Sequence, residues 1–374
     1  MYHVKTMNKI SKIGLAELDD RFEISDTMEH EDAILVRSAK LHDYDFPAEL
    51  LCIARAGAGV NNIPLDRAAE AGIVVFNTPG ANANGVKELT IAALLLASRK
   101  ISQGITWVKE QAAAGADVAA VVEKGKAAYV GPEIQGKTLG VVGLGAIGVL
   151  VANAAAALGM QIVGYDPFLS VQHALNLTPG VKVVSTLEEL YGQADYISLH
   201  LPMTPETKGT LNDAAFAAMK DGVRIVNLAR GELVDTEALK AALASGKCAA
   251  YVTDFPNSET AAMEGVVAIP HLGASTPESE DNCAMMAARQ VRDYLDNGNI
   301  VNSVNLPVLS MAWAAKNRVC VLTKGADAAA IAAAVPAVAS ASKTRGEYGY
   351  FLLDTDAQVD TDAIAALPGV LRVR

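Results

Sequence analysis

The chain has little cysteine and lacks a long apolar run. Its four cysteines stand far apart, with no CxxC pair and no histidine at ligand spacing, which argues against a disulfide framework or a zinc site. The longest apolar stretch, Leu89–Ala97, is too short to span a bilayer. Residues 1–22 carry charges throughout and lack the apolar segment of a secretory signal. We therefore expect buried free thiols and a cytoplasmic protein.

Basic residues are also in deficit. The 374 residues include 31 Lys and Arg against 42 Asp and Glu, which gives a formal net charge of −11. A surface of this sign repels nucleic acid and anionic membranes, so we expect neither as a partner. A hydrophobic fraction of 51% and a length beyond one ordinary core indicate a globular chain of two or three domains.

Short apolar runs alternate with amphipathic or Ala-rich segments, which is typical of βα units on parallel sheets. The fold class predicted is α/β, with two doubly wound parallel-sheet (Rossmann-like) domains and a small α+β tail of order βαββαβ. The predicted strands are Ala33–Arg37, Leu51–Arg55, Ile73–Asn77, Gly140–Gly143, Gln161–Asp166, Tyr196–Leu199, Arg224–Leu228, Tyr251–Asp254, Val319–Thr323, Tyr348–Asp354 and Val370–Val373. The predicted helices are Pro64–Ala71, Val86–Ala97, Ala146–Leu158, Asp235–Ser245, Glu278–Asn297, Asp327–Val335 and Thr361–Leu367.

Two helical segments suggest where the chain passes between domains. Val86–Ala97 separates the two sets of strands, and Glu278–Asn297 follows the last strand of the second set. We therefore predict a discontinuous substrate-binding domain over residues 1–90 and 278–304. The same pattern predicts an inserted cofactor domain over 91–277 and a tail domain over 305–374.

A G-x-G-x-x-G motif at residues 143–148 follows one predicted strand and opens a helix. Gly143 permits the tight turn, Gly145 lets the backbone approach a pyrophosphate, and Gly148 allows close packing of helix on strand. The helix N-terminus attracts the phosphates. Asp166 ends the next strand, 18 residues after Gly148, and no arginine follows it. This arrangement favours NAD over NADP, because the carboxylate would repel a 2′-phosphate.

Three candidate catalytic side chains follow successive strands. Arg230 comes just after Arg224–Leu228, Glu259 lies in the next loop, and His271 follows the short apolar run Val266–Ile269. Each alone has an ordinary explanation: a solvated strand end, a loop acid and a turn histidine. Together they suit one crevice, because ligands bind beyond the carboxyl ends of parallel strands.

Oxidation of a 2-hydroxy acid requires the chemistry that these three residue types supply. Histidine can take the hydroxyl proton near neutral pH, and a carboxylate partner fixes its tautomer. The planar guanidinium suits the substrate carboxylate and its C2 oxygen. We expect His271 as acid/base, Glu259 as its partner and Arg230 as substrate anchor.

Seven stretches follow, in order, the pattern of a known family: Ala54–Ile63, Gly72–Pro79, Asn84–Leu89, Thr138–Gly148, Leu199–Thr207, Val226–Asp235 and Ile269–Thr276. Over nearly its first 300 residues the chain thus resembles the D-isomer-specific 2-hydroxyacid dehydrogenases. The resemblance implies that Arg230, Glu259 and His271 are catalytic, and that Asp254 holds the nicotinamide carboxamide of NAD. The further cofactor contacts that it implies are Gly143, Gly145, Ala146, Ile147, Gly148, Asp166, Leu201, Leu228, Ala229, Arg230, His271, Gly273, Ala274 and, from the other domain, Thr78.

The sequence departs from the family pattern at three places. Asn61 stands where the family has Asp, Lys87 replaces a small residue, and the spacing from Glu259 to His271 is shorter than is common. The last of these makes Glu259 the least secure of the three catalytic assignments.

Cations near the first set of strands indicate an anionic substrate. Arg37, Lys40 and Arg55 lie at or just past strand ends, and the turn containing Gly57 and Gly59 can offer backbone N–H groups to a carboxylate. With Arg230, these residues favour a phosphorylated acid, and we hypothesise 3-phosphoglycerate. Lys87 is a further candidate cation. The alternative is that these are ordinary surface charges.

The tail resembles a degenerate ACT regulatory domain. Its loop at residues 323–327 lacks the proline of serine-binding relatives, so L-serine as an effector is not favoured and an oligomerisation role fits as well. In this family two copies of the chain usually pair through the cofactor domain. The resemblance therefore implies a homo-oligomer, either a dimer or a tetramer.

Two kinds of alternative function remain open. One is another D-2-hydroxyacid dehydrogenase, such as a glyoxylate or hydroxypyruvate reductase, a D-lactate dehydrogenase or a 4-phosphoerythronate dehydrogenase. The other is an NAD(H)-sensing corepressor of the same fold, which would bind peptides and turn over substrate feebly.

Overall fold

A computed structural model describes all 374 residues and divides them into two compact units, residues 1–82 with 277–374 (unit 1) and residues 83–276 (unit 2). The strands are β1 Tyr2–Met7, β2 Phe22–Ser25, β3 Ala33–Val36, β4 Cys52–Arg55, β5 Val74–Phe76, β6 Thr138–Val142, β7 Gln161–Tyr165, β8 Lys182–Val183, β9 Tyr196–Leu199, β10 Val223–Asn227, β11 Cys248–Thr253, β12 Val266–Ala268, β13 Asn317–Lys324, β14 Ala339–Arg345, β15 Tyr348–Thr355 and β16 Val370–Val373. The α-helices are α1 Lys12–Leu15, α2 Leu65–Glu70, α3 Ala83–Ser98, α4 Ile101–Ala113, α5 Val118–Gly125, α6 Ala146–Ala157, α7 Val171–Leu175, α8 Leu187–Gln193, α9 Asp213–Ala218, α10 Thr236–Ala244, α11 Pro277–Asn297, α12 Ala328–Ala334 and α13 Thr361–Ala365. None of these helices combines the length and the apolar character needed to cross a bilayer.

Unit 1 contains a parallel five-stranded sheet of order β2-β1-β3-β4-β5. All four side chains of β3 are buried, which explains why the sequence there is a continuous apolar run rather than an alternating one. Arg37 directly follows β3 and Arg55 is the last residue of β4. Both cations therefore lie at the carboxyl edge of this sheet.

Unit 2 contains a parallel seven-stranded sheet of order β12-β11-β10-β9-β6-β7-β8. The strand order reverses at β6, which pairs with β7 on one side and with β9 on the other. Such a reversal opens a crevice beyond the carboxyl ends of the strands, where ligands bind in open α/β sheets. The glycine-rich loop follows β6, so it lies at this reversal.

The tail forms an antiparallel sheet of order β14-β15-β13-β16, with α12 and α13 completing the βαββαβ order. One face of this sheet buries Ile331 and Ile364 of the two helices. Leu352 on its other face joins the core of the five-stranded sheet, together with Tyr294 of α11. This shared apolar core places the tail in the same compact unit as the first sheet.

The predicted fold class is confirmed, with two parallel α/β sheets and a small antiparallel sheet. The boundary predicted after residue 90 lies inside α3, whereas the compact units divide between residues 82 and 83. The elements that were not predicted from the sequence are β1, β2, β8, β14, α1, α4, α5, α7, α8 and α9. Each of them buries at most two side chains, so these segments carry no continuous buried apolar run by which they could be recognised.

A buried ion pair lies between two strands of the tail sheet. Arg318 of β13 is in register with Asp354 of β15, and its Nε and Nη2 donate to the two carboxylate oxygens at 2.6 and 2.9 Å. Both side chains are almost fully buried, and the Ala314 N–H also donates to Asp354. The Arg318 guanidinium holds the pKa of Asp354 below its usual value.

We expect Asp354→Asn to destabilise unit 1 by about 3 kcal/mol, because it leaves the buried Arg318 charge without its counter-ion. The lowered pKa means that the contribution is present above the usual carboxyl pKa and is lost as the pH falls through the lowered one. Urea denaturation at pH 7 and at acidic pH measures both effects. Asp19→Asn, which removes an exposed ion pair with Arg21, serves as the matched control; equal loss in the two variants would contradict the prediction.

Candidate active site

The glycine-rich loop after β6 has the space and backbone conformation that a dinucleotide requires. A Cβ on Gly143, whose φ is +94°, would lie 2.6 Å from the His200 carbonyl oxygen, and one on Gly148 would lie 1.9 Å from the Gly143 carbonyl oxygen. A Cβ on Gly145 would meet no atom within 4 Å. Gly143 and Gly148 are thus required by the protein itself, whereas the space at Gly145 is open to a ligand.

Asp166 fixes the shape of this loop. One of its carboxylate oxygens accepts the Leu144 N–H at 2.9 Å, and the other accepts the Phe168 N–H at 2.8 Å. A carboxylate can accept further hydrogen bonds on its remaining lone pairs. Asp166 is therefore held where it could accept hydrogen bonds from ribose hydroxyls.

Asp254, directly after β11, carries an unsatisfied acceptor. Its Oδ2 accepts the Gly273 N–H at 3.1 Å, while its buried Oδ1 has no hydrogen-bond partner. Burial raises the pKa of this carboxyl above its usual value. A buried acceptor without a partner is costly, and a carboxamide N–H₂ would satisfy it. The open space at Gly145 and the unpaired Oδ1 of Asp254 together fit a nicotinamide dinucleotide.

Arg230 lies in the turn after β10, and hydrogen bonds from a buried asparagine stabilise this turn. The Asn227 Nδ2 donates to the Arg230 carbonyl oxygen at 2.8 Å and to the Tyr251 hydroxyl at 3.1 Å, and its Oδ1 accepts the Ala229 N–H at 3.1 Å. Asn227 is fully buried. The Arg230 Nη1 donates to the Ala229 carbonyl oxygen at 2.6 Å, so its other guanidinium N–H groups remain for a ligand.

Phe255 brings two of the three predicted catalytic residues together. Its ring centroid lies 4.3 Å from that of His271, and the Arg230 guanidinium carbon lies 5.3 Å from the same ring. Glu259 forms no hydrogen bond or ion pair with His271. Its carboxylate instead lies 3.5 Å from the Lys240 Nζ of α10.

The remaining cofactor residues predicted in unit 2 lie after strands of the same sheet. Because these strands are parallel, the residues that follow them share one edge of the sheet. They are Ala146 and Ile147 at the start of α6, Leu201 after β9, Leu228 and Ala229 after β10, and Gly273 and Ala274 after β12.

Thr78 belongs to unit 1. It is fully buried, its N–H donates to the Gly57 carbonyl oxygen at 3.1 Å, and its Oγ1 has no hydrogen-bond partner. The Thr78 Oγ1 is therefore a second buried polar atom without a hydrogen-bond partner among the residues predicted to contact the cofactor.

Two of the three predicted substrate cations of unit 1, Arg37 and Arg55, are held by other groups of the protein. The Arg55 Nε donates to the Arg37 carbonyl oxygen at 3.1 Å, and the Arg37 guanidinium lies 2.6 Å from the Glu280 carboxylate of α11. A Cβ on Gly57 would lie 2.1 Å from the Arg55 Nη1, so this guanidinium rests on the glycine turn. Lys40 is exposed.

Asn227, Phe255 and Glu280 take part in these arrangements without having been predicted. Asn227 and Phe255 directly follow or end apolar strands, so their position at the carboxyl edge is the signal that could have found them. Glu280 lies in a helix with other acids, and nothing in the sequence distinguishes it.

We expect Gly145→Ala to weaken dinucleotide binding at least tenfold, about 1.4 kcal/mol, while leaving thermal stability unchanged, because the added methyl occupies ligand space only. Gly148→Ala should instead lower the melting temperature, because its methyl meets the Gly143 carbonyl. NADH fluorescence titration and thermal denaturation of both variants separate the two roles. Loss of stability in Gly145→Ala would show that its space belongs to the protein.

Comparisons with known proteins agree with this geometry. Residues 91–273 match the family profile described as D-isomer specific 2-hydroxyacid dehydrogenase, NAD binding domain. The chain is 38% identical to D-3-phosphoglycerate dehydrogenase of Rattus norvegicus over 291 residues, which cover 75% of this chain and 52% of the relative. The chain thus spans about half the length of that relative.

Two solved structures share the fold over nearly their whole length. An NAD⁺-bound 3-phosphoglycerate dehydrogenase of Entamoeba histolytica is 28% identical with a TM-score of 0.63, covering 82% of this chain and 99% of that one. A glyoxylate reductase of Paecilomyes thermophila is 27% identical with a TM-score of 0.66, covering 81% and 98%. The chain therefore belongs to the D-isomer specific 2-hydroxyacid dehydrogenase family and carries its NAD-binding domain over residues 91–273.

Proposed function

We propose that this protein is an NAD-dependent dehydrogenase that oxidises D-3-phosphoglycerate to 3-phosphohydroxypyruvate, the first step of serine biosynthesis. The observation that carries the proposal is the placement of Arg230 and His271 on the same Phe255 ring, next to the orphan carboxylate oxygen of Asp254. A substrate anchor, a base and a cofactor acceptor then lie at one edge of one sheet. The relative from Rattus norvegicus bears the name of this activity.

The residue roles follow from this placement. The free N–H groups of Arg230 bind the substrate carboxylate and its C2 oxygen, and the exposed imidazole of His271 takes the hydroxyl proton. NAD, when bound, would supply the acceptor for the hydride that leaves C2. The buried Asp254 orients the nicotinamide through its carboxamide.

Glu259 can assist His271 only after it leaves Lys240. The two partners of that ion pair are 48% and 58% exposed, and exposed ion pairs of this kind contribute little free energy. Little free energy is therefore needed for Glu259 to exchange its partner Lys240 for a protonated His271. We propose that this exchange accompanies substrate binding.

The cations of unit 1 support a phosphorylated substrate. Arg55 rests on the Gly57 turn with its Nε fixed by the Arg37 carbonyl, so the outer edge of its guanidinium is pre-oriented. A planar guanidinium of this kind is suited to bidentate contact with phosphate. We propose Arg55 as the main phosphate ligand and Arg37, Lys40 and the N–H groups of the glycine turn as its support.

One observation favours a second candidate, a reductase of unphosphorylated 2-keto acids. Glu280 neutralises Arg37 at 2.6 Å, which weakens Arg37 as a phosphate ligand. The similar structure from Paecilomyes thermophila is named a glyoxylate reductase.

We further propose a homo-oligomer that pairs through unit 2. Helices α4 and α5 bury no residue, and α4 exposes Ile101, Ile105 and Val108 on its surface. Contiguous exposed apolar side chains of this kind mark protein–protein contacts.

Initial rates with NADH against 3-phosphohydroxypyruvate, hydroxypyruvate, glyoxylate and pyruvate test the main proposal. We expect kcat/KM to be at least about 100-fold higher for the phosphorylated acid, equivalent to roughly 2.7 kcal/mol of discrimination. A better rate with an unphosphorylated acid would establish the second candidate. Absence of turnover with every acid would favour an NAD(H)-sensing protein instead.

Arg55→Ala should raise KM for 3-phosphohydroxypyruvate at least about tenfold more than KM for hydroxypyruvate, because only the former has the phosphate that Arg55 binds. Arg289→Ala, which removes an exposed ion pair with Glu17 in unit 1, is the matched control and should change neither KM. An equal effect of Arg55→Ala on KM for both acids would contradict the proposal that Arg55 binds the phosphate.

A further inference from the structure

Phe255 is the one aromatic residue whose ring contacts both proposed catalytic side chains. It follows Asp254 at the end of β11, and its ring is tilted by 46° against the His271 ring at a centroid distance of 4.3 Å. The Arg230 guanidinium carbon lies 5.3 Å from the centroid of the same ring. Such distances are typical of aromatic pairs and of cation–π contacts.

The backbone around Phe255 ties three loops together. Its N–H donates to the buried Thr253 Oγ1 at 3.0 Å, and the preceding Asp254 accepts the N–H of Gly273 in the His271 loop. A Cβ on Gly231 would lie 3.6 Å from the Phe255 Cβ and 3.3 Å from its carbonyl oxygen. The residue that follows Arg230 thus packs directly on Phe255.

Phe255 also lines an open cleft of about 370 Å³. Its lining includes Leu239, Tyr251 and Asn257. The ring thus contacts Arg230 and His271 and also borders open space, so a smaller side chain at this position would leave both of them with less support.

We propose that Phe255 is a positioning residue that sets the spacing between Arg230 and His271. The inference rests on the proposed dehydrogenase function, in which the guanidinium holds the substrate while the imidazole takes its proton. The ring also orients His271 while Glu259 is paired with Lys240. A displacement of about 1 Å in such a pair costs on the order of 100-fold in rate.

Phe255→Leu and Phe255→Tyr test the role by steady-state kinetics with NADH and the preferred keto acid. We expect the leucine variant to lower kcat about 100-fold with little change in NADH affinity, and the tyrosine variant to stay within a few-fold of the wild type. Phe46→Leu is the matched control, because it removes a Phe–Arg contact of similar geometry in unit 1 and should leave kcat unchanged.

An independent readout comes from the histidine NMR spectrum, which is simple because the chain has six histidines. With ¹³C-labelled histidine, the His271 ring signal, assigned by its loss in His271→Gln, should show a ring-current shift that disappears in Phe255→Leu and persists in Phe255→Tyr. The same spectra report whether each variant is folded, and Phe255→Met replaces the leucine variant if that one is not.

The two measurements separate the inference from the proposed function. Wild-type kcat in the leucine variant, or a His271 signal that does not move, would overturn the role of Phe255. A wild-type protein that turns over no keto acid would instead refute the proposed function, and the ring-current shift would still decide whether Phe255 holds His271.

Discussion

The candidate site depends on one buried hydrogen bond, from the Gly273 N–H to the Asp254 carboxylate. It joins the end of β11 to the loop that carries His271, and the neighbouring Phe255 contacts both His271 and Arg230. Because the second carboxylate oxygen is buried without a partner, the same side chain remains available to a ligand. Burial raises the pKa of Asp254, because a carboxylate that is removed from water is less stable in its charged form.

Two of the charged residues with a predicted role, one in each unit, are already paired with other side chains. Arg37 contacts Glu280, and Glu259 contacts Lys240, in ion pairs whose members are about half exposed. Pairs of this exposure are weak, so a substrate anion or a protonated imidazole can compete for one partner. The buried pair of Arg318 and Asp354 in the tail sheet is of the opposite kind, since neither partner can be replaced without leaving a charge in the core.

Local pattern was sufficient for the elements with buried faces. The four buried residues of β3 and the whole of β9 are recognisable as apolar runs, and the glycine spacing of residues 143–148 predicts a cofactor loop within the matched NAD-binding domain. The polar strand β14 and helix α4, which buries no residue, could not be recognised in this way. They are stabilised by pairing and packing that a single sequence does not display.

The sequence by itself determined the glycine-rich loop after β6, the parallel α/β class and the residue types of the proposed chemistry, because each depends on short-range spacing of glycine, apolar and charged residues. Only the tertiary structure decided which side chains meet. It placed the Phe255 ring in contact with both Arg230 and His271. It also tied the Arg230 turn to Asn227 by a hydrogen bond and paired Glu259 with Lys240 rather than with His271. Such contacts join segments that are distant along the chain, and their geometry is set by strand order and loop packing, which no local pattern encodes.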